Sequence, residues 1–296
     1  MKISKISFSF FLVTFFIGWL FVASTEKKDT ISFDTAAKIL QTLPTSFEKK
    51  SQPEILETSN WQEKDYSKSK IKILETGDDF DNEELEAKSG EVWLGLFKEK
   101  DKYFLRPAKL KINQSIVRDE RNKKTEIKKS LKTNSVGKPL FLLKNFIVSK
   151  EKSFVTTLFQ GLTRSDILEH KDQANFDSYA MLTKLNKNFA ESYNIGGNIY
   201  NLKVVEAKDK NNAEILALIL EGEGKRQIIH TVKTKENSDV GYLYWVGDLD
   251  TDGKTDFYLS LNGNDNINER ILFISSKAAE GKLIQAVAAF VSYGNC

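Results

Sequence analysis

The chain has 296 residues with 44 basic and 41 acidic side chains, a formal charge of +3. That near balance removes the general reason to expect nucleic acid or an anionic membrane as partner, and the length suits one large domain or two modest ones. A single cysteine, Cys296 at the last position, excludes an intramolecular disulfide and leaves an exposed thiol or a bond to another chain.

Met1-Lys2-Ile3-Ser4-Lys5 is a short basic start, followed by an apolar or weakly polar run from Ile6 to Ala23. Residues 1–24 therefore read as an export signal, with Val22-Ala23-Ser24 suited to cleavage before Thr25, or as an uncleaved anchor. Export places the protein in the periplasm or outside the cell. Residues 25–90 are polar and lysine- and glutamate-rich. Asp34 can cap a helix through Leu43, with Ala36, Ile39, Leu40 and Leu43 at helical spacing before Pro44. Asn82 to Lys88 offers another turn or two of helix, and the region as a whole reads as a loosely packed lead-in.

From Gly90 the pattern changes to alternation. Val92, Leu94 and Leu96 alternate with Trp93, Gly95 and Phe97, and beyond a turn at Lys98 to Lys102 come Tyr103, Leu105, Leu110 and Ile112, the pattern of a β-hairpin. Charged residues dominate from Val117 to Lys132, and an apolar run, Pro139 to Leu143, leads into Phe146-Ile147-Val148. Between Lys98 and Lys152 stand seventeen Lys or Arg against six Asp or Glu. Interleaved acids and the lack of an aromatic stacking pattern favour a solvated hairpin over a basic binding face for an acidic surface or polyanion.

Tyr179, Leu182, Leu185 and Phe189 have helical spacing within the segment Thr163 to Tyr193. After Gly196-Gly197 strands are expected at Ile199–Glu206, Ala213–Leu220, Lys225–Val232, Tyr242–Val246, Phe257–Leu261, Ile271–Ser275 and Ile284–Ser292. Turns at Asp209 to Asn212, Glu221 to Gly224 and Asn262 to Asp265 favour antiparallel connections. The expected fold is mainly β (α+β), an antiparallel sheet or sandwich spanning residues 91–296 with a few short helices.

Chemistry is concentrated at Gly247-Asp248-Leu249-Asp250-Thr251-Asp252-Gly253-Lys254-Thr255-Asp256. Carboxylates fall at loop positions one, three, five and nine with glycine at six, the spacing of a calcium-binding Asp loop. Asp248, Asp250, Asp252, Asp256 and the carbonyl of Lys254 are the candidate ligands for a Ca2+ that ties two strands together. Without a cation, four negative charges at this spacing repel one another. Position twelve is Leu259 rather than Glu, and the flanks are strand-like, which departs from a helical EF-hand.

Gly-Asp-x-Asp-x-Asp-Gly-Lys-x-Asp followed by an apolar strand resembles the FG-GAP and VCBS type of calcium loop found in integrin-like propellers and secreted bacterial proteins. The resemblance covers about 20 residues in one copy. It implies a metal site and does not extend to a propeller, which repeats its unit.

Other catalytic material is sparse. His170 and His230 are the two histidines; His230 reads as a surface or half-buried strand residue, and Asp166, Glu169, His170 and Asp172 as a charged helix end. Asp248-Leu249-Asp250-Thr251 imitates the aspartate pair of haloacid-dehalogenase-type phosphatases, but it lies near the chain end and leaves Asp252 and Asp256 unexplained. No other enzyme motif stands out. The sequence thus points to an exported, calcium-stabilised binding or structural module with a protein or glycan partner; a hydrolase with dispersed catalytic residues is the alternative.

Overall fold

Alternating apolar runs separated by Gly-, Asn- and Asp-containing turns give sixteen strands among the described residues of the computed structural model. It describes residues 54–56, 66–81, 85–118, 125–148, 154–161, 183–235, 238–261 and 267–293. All of these belong to one compact unit, Pro53–Cys296. The export segment, the helix from Asp34, Tyr179, Leu182, the acidic cluster around His170, the turn at Asn262 and Cys296 lie outside the described residues.

The strands are β1 (Lys72–Leu74), β2 (Gly77–Asp81), β3 (Val92–Glu99), β4 (Lys102–Arg118), β5 (Thr125–Thr133), β6 (Pro139–Lys144), β7 (Phe154–Gln160) and β8 (Thr183–Asn186), then β9 (Ala190–Ile195), β10 (Asn198–Lys208), β11 (Glu214–Gly222), β12 (Lys225–Lys233), β13 (Asp239–Asp248), β14 (Asp256–Leu261), β15 (Ile267–Ile274) and β16 (Gln285–Tyr293). Twelve of them form one antiparallel sheet whose main path runs β1-β6-β3-β4-β7-β13-β14-β15-β16. β1 and β16 come side by side without a ladder, so the sheet is nearly a closed barrel. The other sheet is four-stranded, in the order β12-β11-β10-β9. This is the mainly β, antiparallel, non-propeller fold that the sequence predicts. Among the described residues its helical element is a single 3-10 turn, Ser275–Lys277.

Strands β13 to β16 have apolar side chains on both faces. Tyr244, Trp245, Tyr258, Leu272, Ile274, Val287 and Phe290 point into the core enclosed by the curved sheet, with Phe80, Leu96, Phe97, Leu105 and Phe141. Leu243, Val246, Phe257, Leu259, Ile271 and Phe273 point the other way, against Tyr200, Leu202, Leu216, Leu218 and Leu220 of the four-stranded sheet. Burial on both faces explains why β14, Asp256–Leu261, is buried at every position. Near the seam, Glu75, Tyr258 and Arg270 form a buried polar group: the Tyr258 hydroxyl donates to Glu75 Oε1 at 2.7 Å, and Arg270 pairs with Glu75.

Four readings change. Lys72–Leu74 and Gly77–Asp81 are strands paired with β6 and β5, with Phe80 fully buried, so the β structure begins before residue 91. Leu85 to Lys88 carry no helix, and Leu85 is buried in the barrel core. Leu185 lies in β8, and Phe189 follows a turn closed by its amide donating to the Asn186 carbonyl, which breaks the helical spacing. His230 is buried rather than half-exposed.

Candidate metal centre

The Asp loop joins two central strands. Asp248 ends β13 and Asp256 begins β14, and Gly247 pairs with Asp256 in their ladder. The loop's path requires two left-handed residues, Thr251 (φ 62°) and Gly253 (φ 81°). Glycine adopts this conformation freely, whereas a β-branched residue there is strained by about 1–3 kcal/mol.

Three of the four aspartates converge. One carboxylate oxygen each from Asp248, Asp250 and Asp256 lie within 4.8 Å of one another. Oxygens bound 2.3–2.6 Å from a calcium ion stand at most about 5 Å apart, so one cation can touch all three. The cluster can therefore hold a metal ion. Asp250 Oδ1 is buried without a hydrogen-bond partner, and the Thr255 hydroxyl beside Asp256 is likewise buried and unpartnered. A buried carboxylate oxygen without a donor is costly unless a cation satisfies it.

The remaining carboxylate bonds hold the loop in shape. Asp248 Oδ1 and Oδ2 accept from the amides of Asp252 and Gly253, each at 3.0 Å. Asp256 Oδ2 accepts from the Leu249 amide at 2.8 Å, while its Oδ1 accepts from both the amide and the hydroxyl of Ser275 at 2.8 Å. Asp252 is exposed and stands outside the converging trio: its Oδ1 accepts from the Lys254 amide at 2.8 Å, and the Ser275 hydroxyl lies 3.3 Å from both its oxygens. The Lys254 side chain meets Glu223 at 3.3 Å.

Electrostatics follow from this crowding. Burial, together with the nearby Asp250 charge, pushes the carboxyl of Asp256 well above its ordinary range. Asp248 is raised by burial and then by Asp252 and Asp250, and Asp252 by burial and Asp250. These are acids whose ionised forms need positive charge nearby.

Ser275, expected only as the end of a strand, and Ser276, given no role by its spacing, are both site residues. Both sit on the 3-10 turn after β15; Ser275 bonds Asp256, and the Ser276 hydroxyl donates to Asp250 Oδ2. Only the pairing of β14 with β15, Phe257 opposite Phe273, brings that turn to the loop. Local spacing carries no trace of it.

Comparison of the chain with protein-family models, with curated proteins and with solved structures finds no match in any of the three.

Proposed function

We propose that this is an exported, calcium-stabilised β-rich protein that acts as a binding or structural module for a protein or glycan partner in the periplasm or outside the cell. The observation that carries the calcium reading is the convergence of Asp248, Asp250 and Asp256, with a buried oxygen of Asp250 that has no hydrogen-bond donor. Hard carboxylate oxygens suit calcium, and a loop that adds main-chain oxygens, Lys254 among them, to three carboxylates suits its six to eight ligands better than the octahedron that magnesium demands. The FG-GAP/VCBS-like spacing of the same aspartates supports this choice.

The ion's role is structural in this reading. It neutralises three carboxylates at the junction of β13 and β14, two strands whose side chains feed both cores. Export is supported by the basic start and apolar run of the first 24 residues.

A variant series tests the assignment. In calcium, Asp250→Ala and Asp256→Asn are expected to remove most of the cation-dependent stability, about 2–4 kcal/mol at calcium concentrations of about 100 to 1,000 times Kd. In chelator, Asp250→Ala should be neutral or stabilising, since it relieves repulsion. Chemical denaturation in the two conditions checks this; equal losses with and without calcium would sink the metal assignment.

A further inference from the structure

Both tight turns at one end of the four-stranded sheet reach the Asp loop. The β9–β10 turn is Gly196-Gly197, with φ of 59° and 85°, and a Cβ on Gly196 would stand 2.7 Å from the carbonyl oxygen of Gly253. Only a glycine permits that approach. The β11–β12 turn is Glu223-Gly224, with φ of 50° and 70°. Glu223 accepts from the Tyr200 hydroxyl at 2.5 Å and from the Lys254 ammonium at 3.3 Å. These two bonds hold its carboxyl below the ordinary range, that from Tyr200 contributing most. Tyr200 is itself buried between the sheets, and a Cβ on Gly222 would meet its ring at 2.6 Å.

The same loop residues are bonded to the candidate ligands. The Gly253 amide donates to Asp248 Oδ2 and the Lys254 amide to Asp252 Oδ1. A continuous path of contacts therefore leads from Asp248 through Gly253 to Gly196, and, by way of Asp252, whose amide donates to Asp248 Oδ1, through Lys254 to Glu223 and Tyr200. On the opposite side Ser275 and Ser276 tie Asp256 and Asp250 to the connection between β15 and β16. The loop is wedged between the two sheets.

We infer that the Asp loop is a cation-operated latch between the sheets: a bound cation fixes Gly253 and Lys254 against the two turns and closes that end of the four-stranded sheet onto β13 and β14, and its loss releases that end first. This rests on the metal reading above and adds to it a defined mechanical output. Metal-free, the repelling carboxylates of Asp248, Asp250 and Asp256 favour a spread loop, which moves the Gly253 carbonyl and the Lys254 side chain off their contacts. Linkage makes the effect reciprocal, so loosening the turns must weaken cation binding by the factor that cation binding tightens the turns. At the far end of the sheet Asp209 Oδ1 caps the β10–β11 turn through the amides of Asn211 and Ala213, and among the described residues no hydrogen bond joins that turn to the loop.

Hydrogen exchange on the full-length protein, decalcified and then saturated with calcium, reads the latch directly. Calcium is expected to slow exchange at Gly196-Gly197 and Glu223-Gly224 at least about tenfold, a coupling of ordinary size, and to leave residues 209–213 unchanged. Tyr200→Phe, which removes the bond to Glu223 without changing charge, should weaken calcium binding about fivefold in a calorimetric titration. Calcium binding with protection confined to residues 248–256 and 275–277, and with unaltered affinity in Tyr200→Phe, would overturn the latch and leave the metal site standing. No calcium binding at all would overturn both.

Discussion

Arg270→Met is expected to destabilise the protein by about 3–5 kcal/mol, because it strands the Glu75 carboxylate without its cation in the interior. Arg270 and Glu75 are 6% and 2% exposed, so solvent cannot replace either partner. Glu75 follows β1, Tyr258 belongs to β14 and Arg270 to β15, so the group links the first barrel strand to the central strands. The Arg270 guanidinium stacks 4.2 Å from the Tyr244 ring centre, and the Tyr258 hydroxyl occupies the second Glu75 oxygen. Burial alone would weaken the guanidinium's hold on its proton; the Glu75 charge, joined by Tyr244, Tyr258 and the bond to Glu75, outweighs it and raises that hold above the ordinary value. Burial, reinforced by Glu75, also keeps the Tyr258 hydroxyl protonated and donating. Replacing both ions, as Glu75→Gln with Arg270→Met, should recover a large part of the loss, since the penalty lies in the unpaired charge more than in the missing attraction. Urea denaturation of the two single variants and the double variant measures the coupling. Additive losses in the double variant would show that the pair does not act as a unit.

Acidification is expected to have opposite effects on the metal-free and calcium-loaded protein. In the metal-free state Asp256, Asp248 and Asp252 hold their protons more tightly than they would in an unfolded chain. The native state then binds more protons than the unfolded state, so these groups' contribution to stability falls as pH rises through their raised values and returns as pH falls. Calcium and protons compete for the same oxygens, so calcium-dependent stabilisation must shrink over that range. Melting temperatures with and without calcium should therefore be far apart at neutral pH and converge as pH falls through the raised values of these aspartates. A constant separation across this range would mean that the aspartates do not titrate with the cation.

The central strands are legible in the sequence because β13 and β14 are covered on both faces. Tyr242 to Val246 and Phe257 to Leu261 are accordingly continuous runs, which few other structures produce. The β3–β4 hairpin is legible for a different reason, the apolar runs Val92 to Phe97 and Tyr103 to Leu105 on either side of the charged turn Lys98 to Lys102. The same β4 becomes illegible beyond Leu110, where from Lys111 to Arg118 all but the half-buried Ile112 are exposed and no inward face remains to impose a period. Its partner β5, full of lysine, falls in the stretch read as a solvated hairpin and is laddered to β4 through nine residues, but charge hides where its strand begins and ends. β1 and β2 are hidden by the buried polar residues between them, Glu75 and Thr76, which composition takes for surface.

At the candidate site the four aspartates are legible because their spacing lies within one loop of nine residues. Ser275, Ser276, Gly196 and Glu223 reach that loop only through strand pairing and sheet packing, and nothing in their local sequence marks them. Spacing also gives no sign that Asp252 faces Ser275 and the Lys254 amide instead of joining the other three.

A thermal melt of the decalcified full-length protein, repeated with added calcium and with added magnesium, tests the central claim most directly. A calcium-selective rise in melting temperature that grows with the logarithm of calcium concentration is the expected result. A melting temperature indifferent to both cations would contradict it and reduce the aspartate cluster to an acidic turn.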